Sequence, residues 1–352
     1  FGWALLSGII SNWLVYFYQP DQETISQGQT VFVPQGLVVL GIVTVVGGIT
    51  AFARFFDAFV DPAVASLSDR CDAKSGRRMP FLKFAALPLA VVTVLVFWSP
   101  INGTSWVNAA FLFVTVIGYY IALTFYCTPY NALIAELGHD SKQQLTISTA
   151  ISFTWVAGTA IAYVAPVIWG AFVPMMGRIT AIRVTFTIMA AVAFVCMLVP
   201  PLAIREKDYV NSQPTSESTI ESLKQTFGDG EFRKFVCSDV VYWVAITTFQ
   251  TGLPFFVTSL LRLPETTTTI YFVLMTGVSV LFYLPVNILA NKVGKKRLLL
   301  VAFVIFTCAF AFAGALGSAA LGFIPAMAQG LALSVVGAIP MAAFGILPQA
   351  IV

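Results

Sequence analysis

Apolar residues fall along this chain in long, nearly unbroken runs instead of the short periodic stripes of a water-soluble core. Ten runs have about the length a bilayer-crossing helix needs. They lie at approximately 2–18, 36–62, 81–98, 107–130, 146–170, 180–203, 234–260, 267–290, 298–317 and 320–352. Several are long enough to tilt, kink or extend past the membrane. Pro88, Pro129, Pro166, Pro254, Pro285 and Pro340 sit inside them, which a soluble bundle resists and a membrane bundle tolerates. The runs lack the apolar-polar alternation of barrel strands. The pattern therefore predicts an all-α membrane protein.

Polar positions divide this array. The longest polar stretch, 204–233, follows the sixth run and reads as a cytoplasmic linker. Its segment "SESTIESLKQTF" has the pattern of a short amphipathic surface helix. Three regions follow: a six-helix bundle over 1–203, the linker 204–233, and a partial second bundle over 234–352. On either side of the linker two loops share a pattern, "LSDRCDAKSGRRMPFL" at 67–82 and "LANKVGKKRLLL" at 289–300. Each follows the second helix of its half, as expected if a six-helix unit has been duplicated, a common arrangement in secondary transporters. On that pattern twelve helices are expected, with this chain stopping within the tenth. Asp69, Arg70, Gly76, Arg77 and Arg78 in the first loop, and Lys292, Gly294 and Lys295 in the second, are the candidate gating residues. Their acidic or amide group would bond a neighbouring helix end, and their cations would hold the cytoplasmic side together.

Composition agrees with lipid as the main solvent. Of the 352 residues 58% are hydrophobic and 10% charged, against about 25% charged in an ordinary soluble domain. The net charge of +3 matters less than its placement. Fifteen of the nineteen basic residues lie in the even-numbered loops and their flanks, and three in the odd-numbered ones. The positive-inside rule then places the even loops and the N-terminus in the cytoplasm, in a plasma or bacterial inner membrane. The five cysteines are scattered singly and read as small packing residues. His139, the only histidine, lies in a polar loop. No nucleophile–base set, phosphate loop or metal-ligand cluster is visible in the sequence. The chain is thus expected to be no enzyme, to carry no cofactor and to bind no nucleic acid.

The exceptional chemistry lies in "FFDAFVDP", residues 55–62, which places Asp57 and Asp61 one turn apart within an apolar run. At 1.5 Å per residue Asp57 stands roughly 15–18 Å from the cytoplasmic loop, near the bilayer midplane. An ionised carboxylate there is costly unless it has a partner or a water-filled cavity. The spacing puts both on one helix face, shared by Arg54. Arg54 can neutralise one aspartate but not both. The pair therefore reads as an oxygen-rich Na⁺ site, or as a pair whose mutual repulsion lets one member accept a proton. Asn12, Tyr16, Tyr119, Tyr120, Tyr126 and Trp155 in helices one, four and five supply amide, hydroxyl and aromatic groups. With Arg54, these suit a sugar or other amphipathic solute.

The run "RFFDAFVDPAVASLSDRCDAKSGRRMPFL" (54–82) resembles the helix-two signature of the glycoside-pentoside-hexuronide:cation symporters within the major facilitator superfamily. "TPYNALIAEL" (128–137) resembles that family's helix-four exit, and "FRKFV" (232–236) and "LANKVGKKRLLL" fit its pattern. The resemblance implies two six-helix bundles, alternating access, and sugar transport driven by Na⁺, Li⁺ or H⁺ in a protein that functions as a monomer among membrane lipids. Asp57 and Asp61 match the family's two helix-two cation carboxylates, and Arg54 its helix-two arginine. Helix one carries no acid here. Cys127 stands where the melibiose-permease type has a helix-four aspartate, and Ser152 near its helix-five arginine. Galactoside specificity therefore does not carry over. The animal lysolipid transporters share the helix-two aspartates, so an amphipathic lipid is a second substrate class, and a non-transporting sensor a third reading.

Overall fold

A computed structural model describes residues 1–36, 43–71, 73, 76–137, 141–204, 206, 227–260, 264, 266–273, 277 and scattered positions between 297 and 311. Nine helices are described here. They are α1 (Gly2–Tyr18), α2 (Gln22–Ser26), α3 (Val45–Asp69), α4 (Met79–Val96), α5 (Trp106–Leu137), α6 (Ser141–Tyr163), α7 (Ala165–Met176), α8 (Arg178–Ala203) and α9 (Gly230–Phe255), the last continuing into a π-turn at Phe256–Leu260. Four described helical stretches are long and apolar enough to cross a membrane: Met79–Val96, Trp106–Leu133, Ala150–Met176 and Arg178–Ala203.

The first apolar run and α1 coincide. The second helix differs from its expected span of 36–62, because Thr44 caps it: the Thr44 hydroxyl accepts the Gly47 N–H at 3.0 Å. It also runs through Pro62 to Asp69. The missing Pro62 N–H leaves the Ala58 carbonyl without its helical partner, one residue from Asp57. The expected span 146–170 is divided at Val164, with Pro166 early in α7. At 32 residues, α5 is about 48 Å long, well beyond the roughly 30 Å hydrocarbon layer. Its last turns therefore leave the apolar zone.

The chain divides into two compact units, one formed by Phe1–Ala162 with Phe172–Thr251, the other by Tyr163–Ala171 with Gly252–Val352. Within the first, α4 packs on α5 and α8, α3 lies along α5, and α1 lies along α8. Nearly all of α1 is buried, and small residues let its neighbours come close. A β-carbon on Gly158 would sit 3.0 Å from the Leu5 nitrogen, and one on Gly8 would sit 2.7 Å from the Ala162 β-carbon. This small-residue packing replaces the hydrophobic drive that lipid cannot supply. Buried polar tips reach across helices: Trp13 Nε1 donates to Ala162 O at 2.8 Å, Tyr18 Oη to Val96 O at 2.6 Å and Tyr126 Oη to Met197 O at 2.9 Å. In the second unit Tyr163 stacks on Phe272 with centroids 3.7 Å apart, and Thr269 Oγ1 donates to Tyr163 O at 2.8 Å.

The amphipathic segment at 216–227 lies outside the described residues except for Phe227, as do the gating candidates Lys292, Gly294 and Lys295.

Candidate functional site

Two helices build the site. On α3, Arg54, Asp57 and Asp61 follow one another at helical spacing. On α5, Tyr120, Thr124 and Thr128 do the same. The two series meet rung by rung. The Arg54 guanidinium lies 4.7 Å from the centroid of the Tyr120 ring, a cation–π contact. Thr124 Oγ1 donates to Asp57 Oδ1 at 2.5 Å, and Thr128 Oγ1 to Asp61 Oδ1 at 2.8 Å. Numbers rise in the same direction along both helices, so α3 and α5 run parallel and one register serves all three rungs.

Burial grades along the ladder. Thr124 is 3% exposed and Asp57 half-buried, whereas Arg54 and Asp61 are exposed. No ion pair joins Arg54 to either aspartate among the described residues. The purely structural alternative, in which Arg54 neutralises Asp57 or Asp61, therefore has no contact to support it. Each carboxylate instead receives a hydroxyl, a donor that sustains negative charge without cancelling it. The result is two carboxylates and two hydroxyl oxygens facing across one helix pair, a donor set suited to a hard monovalent cation.

The sequence reading found the carboxylates and missed the threonines. A signal existed: Thr124 and Thr128 repeat the four-residue spacing of Asp57 and Asp61. The other solute candidates fall in different places. Asn12, Tyr16, Tyr120 and Tyr126 are buried. Asn12 Nδ2 donates to Gly8 O at 2.7 Å, Tyr16 meets Trp13 edge-on, and Tyr119 meets Tyr120 edge-on. The Tyr126 hydroxyl braces α5 against α8 through Met197. Trp155 is half-buried on α6.

A second cluster occupies the end of the first unit beyond α3. Arg78 grips Glu136 with two atoms, Nε to Oε2 at 3.0 Å and Nη2 to Oε1 at 2.6 Å, and its Nη2 also reaches Asp69 Oδ1 at 3.0 Å. Arg77 Nη2 meets Glu136 Oε1 at 2.6 Å. Below them Glu206, 2% exposed, accepts the backbone N–H of Arg78 at 2.8 Å and of Met79 at 3.2 Å. A carboxylate there caps the N-terminus of α4 and complements its dipole. Gly76 has φ of +113°, and a β-carbon on it would collide with the Glu206 carboxylate. Asp69, Gly76, Arg77 and Arg78 are thus brought together. Arg70 is exposed at the end of α3 and makes no described side-chain contact with them. Glu136 and Glu206, which the sequence reading passed over, complete the cluster.

Apolar helices of membrane length, one of which holds the two carboxylates of α3, with an ion-paired cluster at its polar end, define an integral, multi-pass membrane protein. The chain belongs to the MFS/sugar transport protein family, whose model matches residues 4–352. The inner membrane symporter YicJ of Escherichia coli (strain K12) is 25% identical over 226 residues, 62% of this chain and 47% of that protein. The isoprimeverose transporter of Lactiplantibacillus pentosus is 25% identical over 162 residues, 46% of this chain and 30% of that protein. The matches span less than half the length of either relative. Both relatives are transporters, and no catalytic family is indicated. A crystal structure of a D-xylose-proton symporter superposes with a TM-score of 0.59 at 16% identity, covering 98% of this chain and 79% of that one. That likeness bears out the all-α major facilitator fold expected from the sequence.

Proposed function

We propose that the chain is part of a secondary active transporter that symports a sugar-like solute with Na⁺ or H⁺ by alternating access. The observation that carries this reading is the α3–α5 ladder, in which Asp57 and Asp61 are held by Thr124 and Thr128 and not cancelled by Arg54. The chemistry explains coupling. Enclosing an uncompensated carboxylate costs several kcal/mol even after relaxation, roughly the penalty for any charge taken from water into a protein interior. With Asp57 and Asp61 empty, the carrier resists closing over them. A bound cation removes that penalty, and the solute crosses with it.

In this proposal Asp57 and Asp61 bind the cation with the two threonine oxygens as further ligands. Arg54, exposed and steadied by Tyr120, meets the solute with Trp155, and Asn12, Tyr16 and Tyr126 shape the cavity wall. Asp69, Gly76, Arg77 and Arg78 form the first-half gate with Glu136 and Glu206, and Lys292, Gly294 and Lys295 form its second-half counterpart. Arg70 lies at its solvent-facing edge. The two bundles are 1–203 and 234–352, joined by 204–233. The N-terminus is cytoplasmic, the membrane is a bacterial inner or plasma membrane, and one copy suffices. The names of the symporting and sugar-transporting relatives support the solute class.

Vesicles carrying the protein, with an imposed Na⁺ or H⁺ gradient and a panel of sugars, glycosides and lysolipids, test the proposal. Accumulation of a sugar-class solute is expected, and Asp57→Asn and Asp61→Asn should each abolish the gradient-driven part. Absence of accumulation across the panel overturns symport. Accumulation unchanged in both variants overturns the site assignment. Accumulation of lysolipid alone replaces the solute class, and solute binding without accumulation makes the protein a sensor.

A further inference from the structure

Resistance to closing over bare carboxylates serves coupling but hinders the return. A symporter must also reorient with neither cation nor solute aboard, or it turns over once and stops. We propose, on the symport reading above, that Arg54 resolves this. It covers Asp57 when the carrier is empty and leaves Asp57 for the solute when the carrier is loaded.

The geometry supplies two places for one guanidinium. Arg54 precedes Asp57 by three residues on α3, a spacing at which helical side chains meet. It rests instead against α5, 4.7 Å from the centroid of the Tyr120 ring. That ring is held firmly: Tyr120 is 4% exposed and meets Tyr119 edge-on at 5.2 Å. Arg54 itself is exposed and forms no ion pair among the described residues, so the ring is its one described anchor.

Exposure decides between the two places. In water an ion pair between exposed side chains contributes little, and a cation–π contact on a fixed ring outweighs it. Attraction between full charges strengthens as water is withdrawn, and a carboxylate shut in without a partner is strongly disfavoured. Closure over an empty site therefore draws Arg54 from Tyr120 to Asp57. Asp61 keeps the Thr128 hydroxyl at the exposed end of the ladder, where an unbalanced charge is least costly. Three loadings then behave differently. With none, Arg54 covers Asp57 and the carrier returns. With solute alone, Arg54 is held by the solute, Asp57 is bare and closure is resisted. With both, the cation covers Asp57 and Asp61 while Arg54 keeps the solute. One side chain, needed in two places, thus forbids the crossing of solute without its cation.

The test compares two rates in vesicles carrying the full chain, with radiolabelled methyl β-glucoside, methyl β-xyloside and glucuronate as solute probes. Net uptake driven by a Na⁺ or H⁺ gradient requires the empty carrier to return. Exchange of labelled for unlabelled probe, with cation on both sides, does not. Arg54→Gln should slow both, because Arg54 also meets the solute, but the ratio of net uptake to exchange should fall at least about tenfold. Arg54→Lys, which keeps the charge, should recover part of that ratio. Tyr120→Leu frees Arg54 for Asp57, so the half-saturating cation concentration for uptake should rise about two- to fivefold. That rise should vanish when Arg54→Gln is added. An equal fall of both rates in Arg54→Gln overturns the proposal and leaves Arg54 a solute ligand, and a ratio no better in Arg54→Lys overturns it as well. Where Arg54→Gln exchanges too little to measure, Tyr120→Leu decides, and an unchanged half-saturation there overturns the proposal. Wild type that accumulates none of the probes overturns the symport reading and the role of Arg54 with it. Wild type that accumulates one, with the ratio undiminished in Arg54→Gln, overturns the role of Arg54 alone.

Discussion

Replacing Thr124 with valine removes one hydroxyl and keeps the branched shape. The lost bond runs to Asp57 Oδ1 at 2.5 Å, from a residue that is 3% exposed to a half-buried carboxylate. A hydrogen bond to a charged group contributes about 1.5–3 kcal/mol net, and each 1.4 kcal/mol or so is tenfold in affinity. Because the hydroxyl positions the carboxylate and, in the proposed site, offers an oxygen to the cation, its loss should weaken cation binding by roughly 10- to 100-fold. Thr128→Val is the internal comparison. Its bond is to the exposed Asp61, where water replaces the donor, so less than about fivefold is expected. The assay is solute uptake into vesicles against Na⁺ at fixed pH, read as the half-saturating Na⁺ concentration with solute saturating. Where a proton gradient drives uptake instead, the same ordering is read in the accumulation ratio. An unchanged half-saturation in Thr124→Val refutes the reasoning, and so does a larger effect in Thr128→Val. A change confined to the solute half-saturation would move Thr124 to the solute site.

Two further perturbations address the polar cluster. Gly76→Ala should destabilise the detergent-solubilised protein by at least about 1–3 kcal/mol, the cost of a non-glycine residue at a strained positive φ, and pairing it with Glu206→Ala should relieve only part of the clash, because the β-carbon of residue 206 itself lies 2.7 Å from the added one; an unchanged thermal midpoint in Gly76→Ala alone would sink this. Arg78→Lys loses the two-atom grip on Glu136 and should cost about 1–3 kcal/mol in thermal unfolding, whereas Lys234→Ala, at a fully solvated pair with Glu231, should change the midpoint negligibly.

What the sequence revealed follows from which energies are large. A carboxylate in an apolar run is costly wherever it sits, so Asp57 and Asp61 stood out without any fold. A threonine in such a run costs little, since its hydroxyl can turn back to its own helix, as Thr115 does toward Phe111 O. Thr124 and Thr128 became visible only when α3 and α5 were laid in register. The same holds for Glu136, which reads as the polar end of a helix until Arg77 and Arg78 arrive from across the loop, and for Glu206, which reads as the start of a linker until it meets the α4 N-terminus. Hydrophobic length placed α1 correctly but misjudged the start of α3, because the Thr44 cap is a local hydrogen bond within a longer apolar run. Pro62 and Pro166 look alike in the sequence, yet only the second lies at a helix break. Whether a helix carries on past a proline depends on neighbours that compensate its lost bond.

One helix links the two charged regions. Within α5, Thr124 and Thr128 hold the aspartates of α3, and two turns on Glu136 holds Arg78, which in turn holds Asp69 at the end of that same α3. The α3–α5 pair is therefore fastened at both ends, by neutral donors near the proposed cation site and by ion pairs at the proposed gate. The two fastenings differ in what a cation does to them. In the proposed site a cation draws on the carboxylate and threonine oxygens of both helices together, while the Arg78–Glu136 pair already balances its own charges. In the proposed cycle cation arrival thus acts on the ladder first, and any loosening of α3 against α5 reaches the gate through Asp69. Glu206, just beyond the end of α8, holds the backbone of Arg78 from its other flank. On the proposed function, such a chain of contacts would make the proposed gate sensitive to the loading of the ladder without a long conformational path.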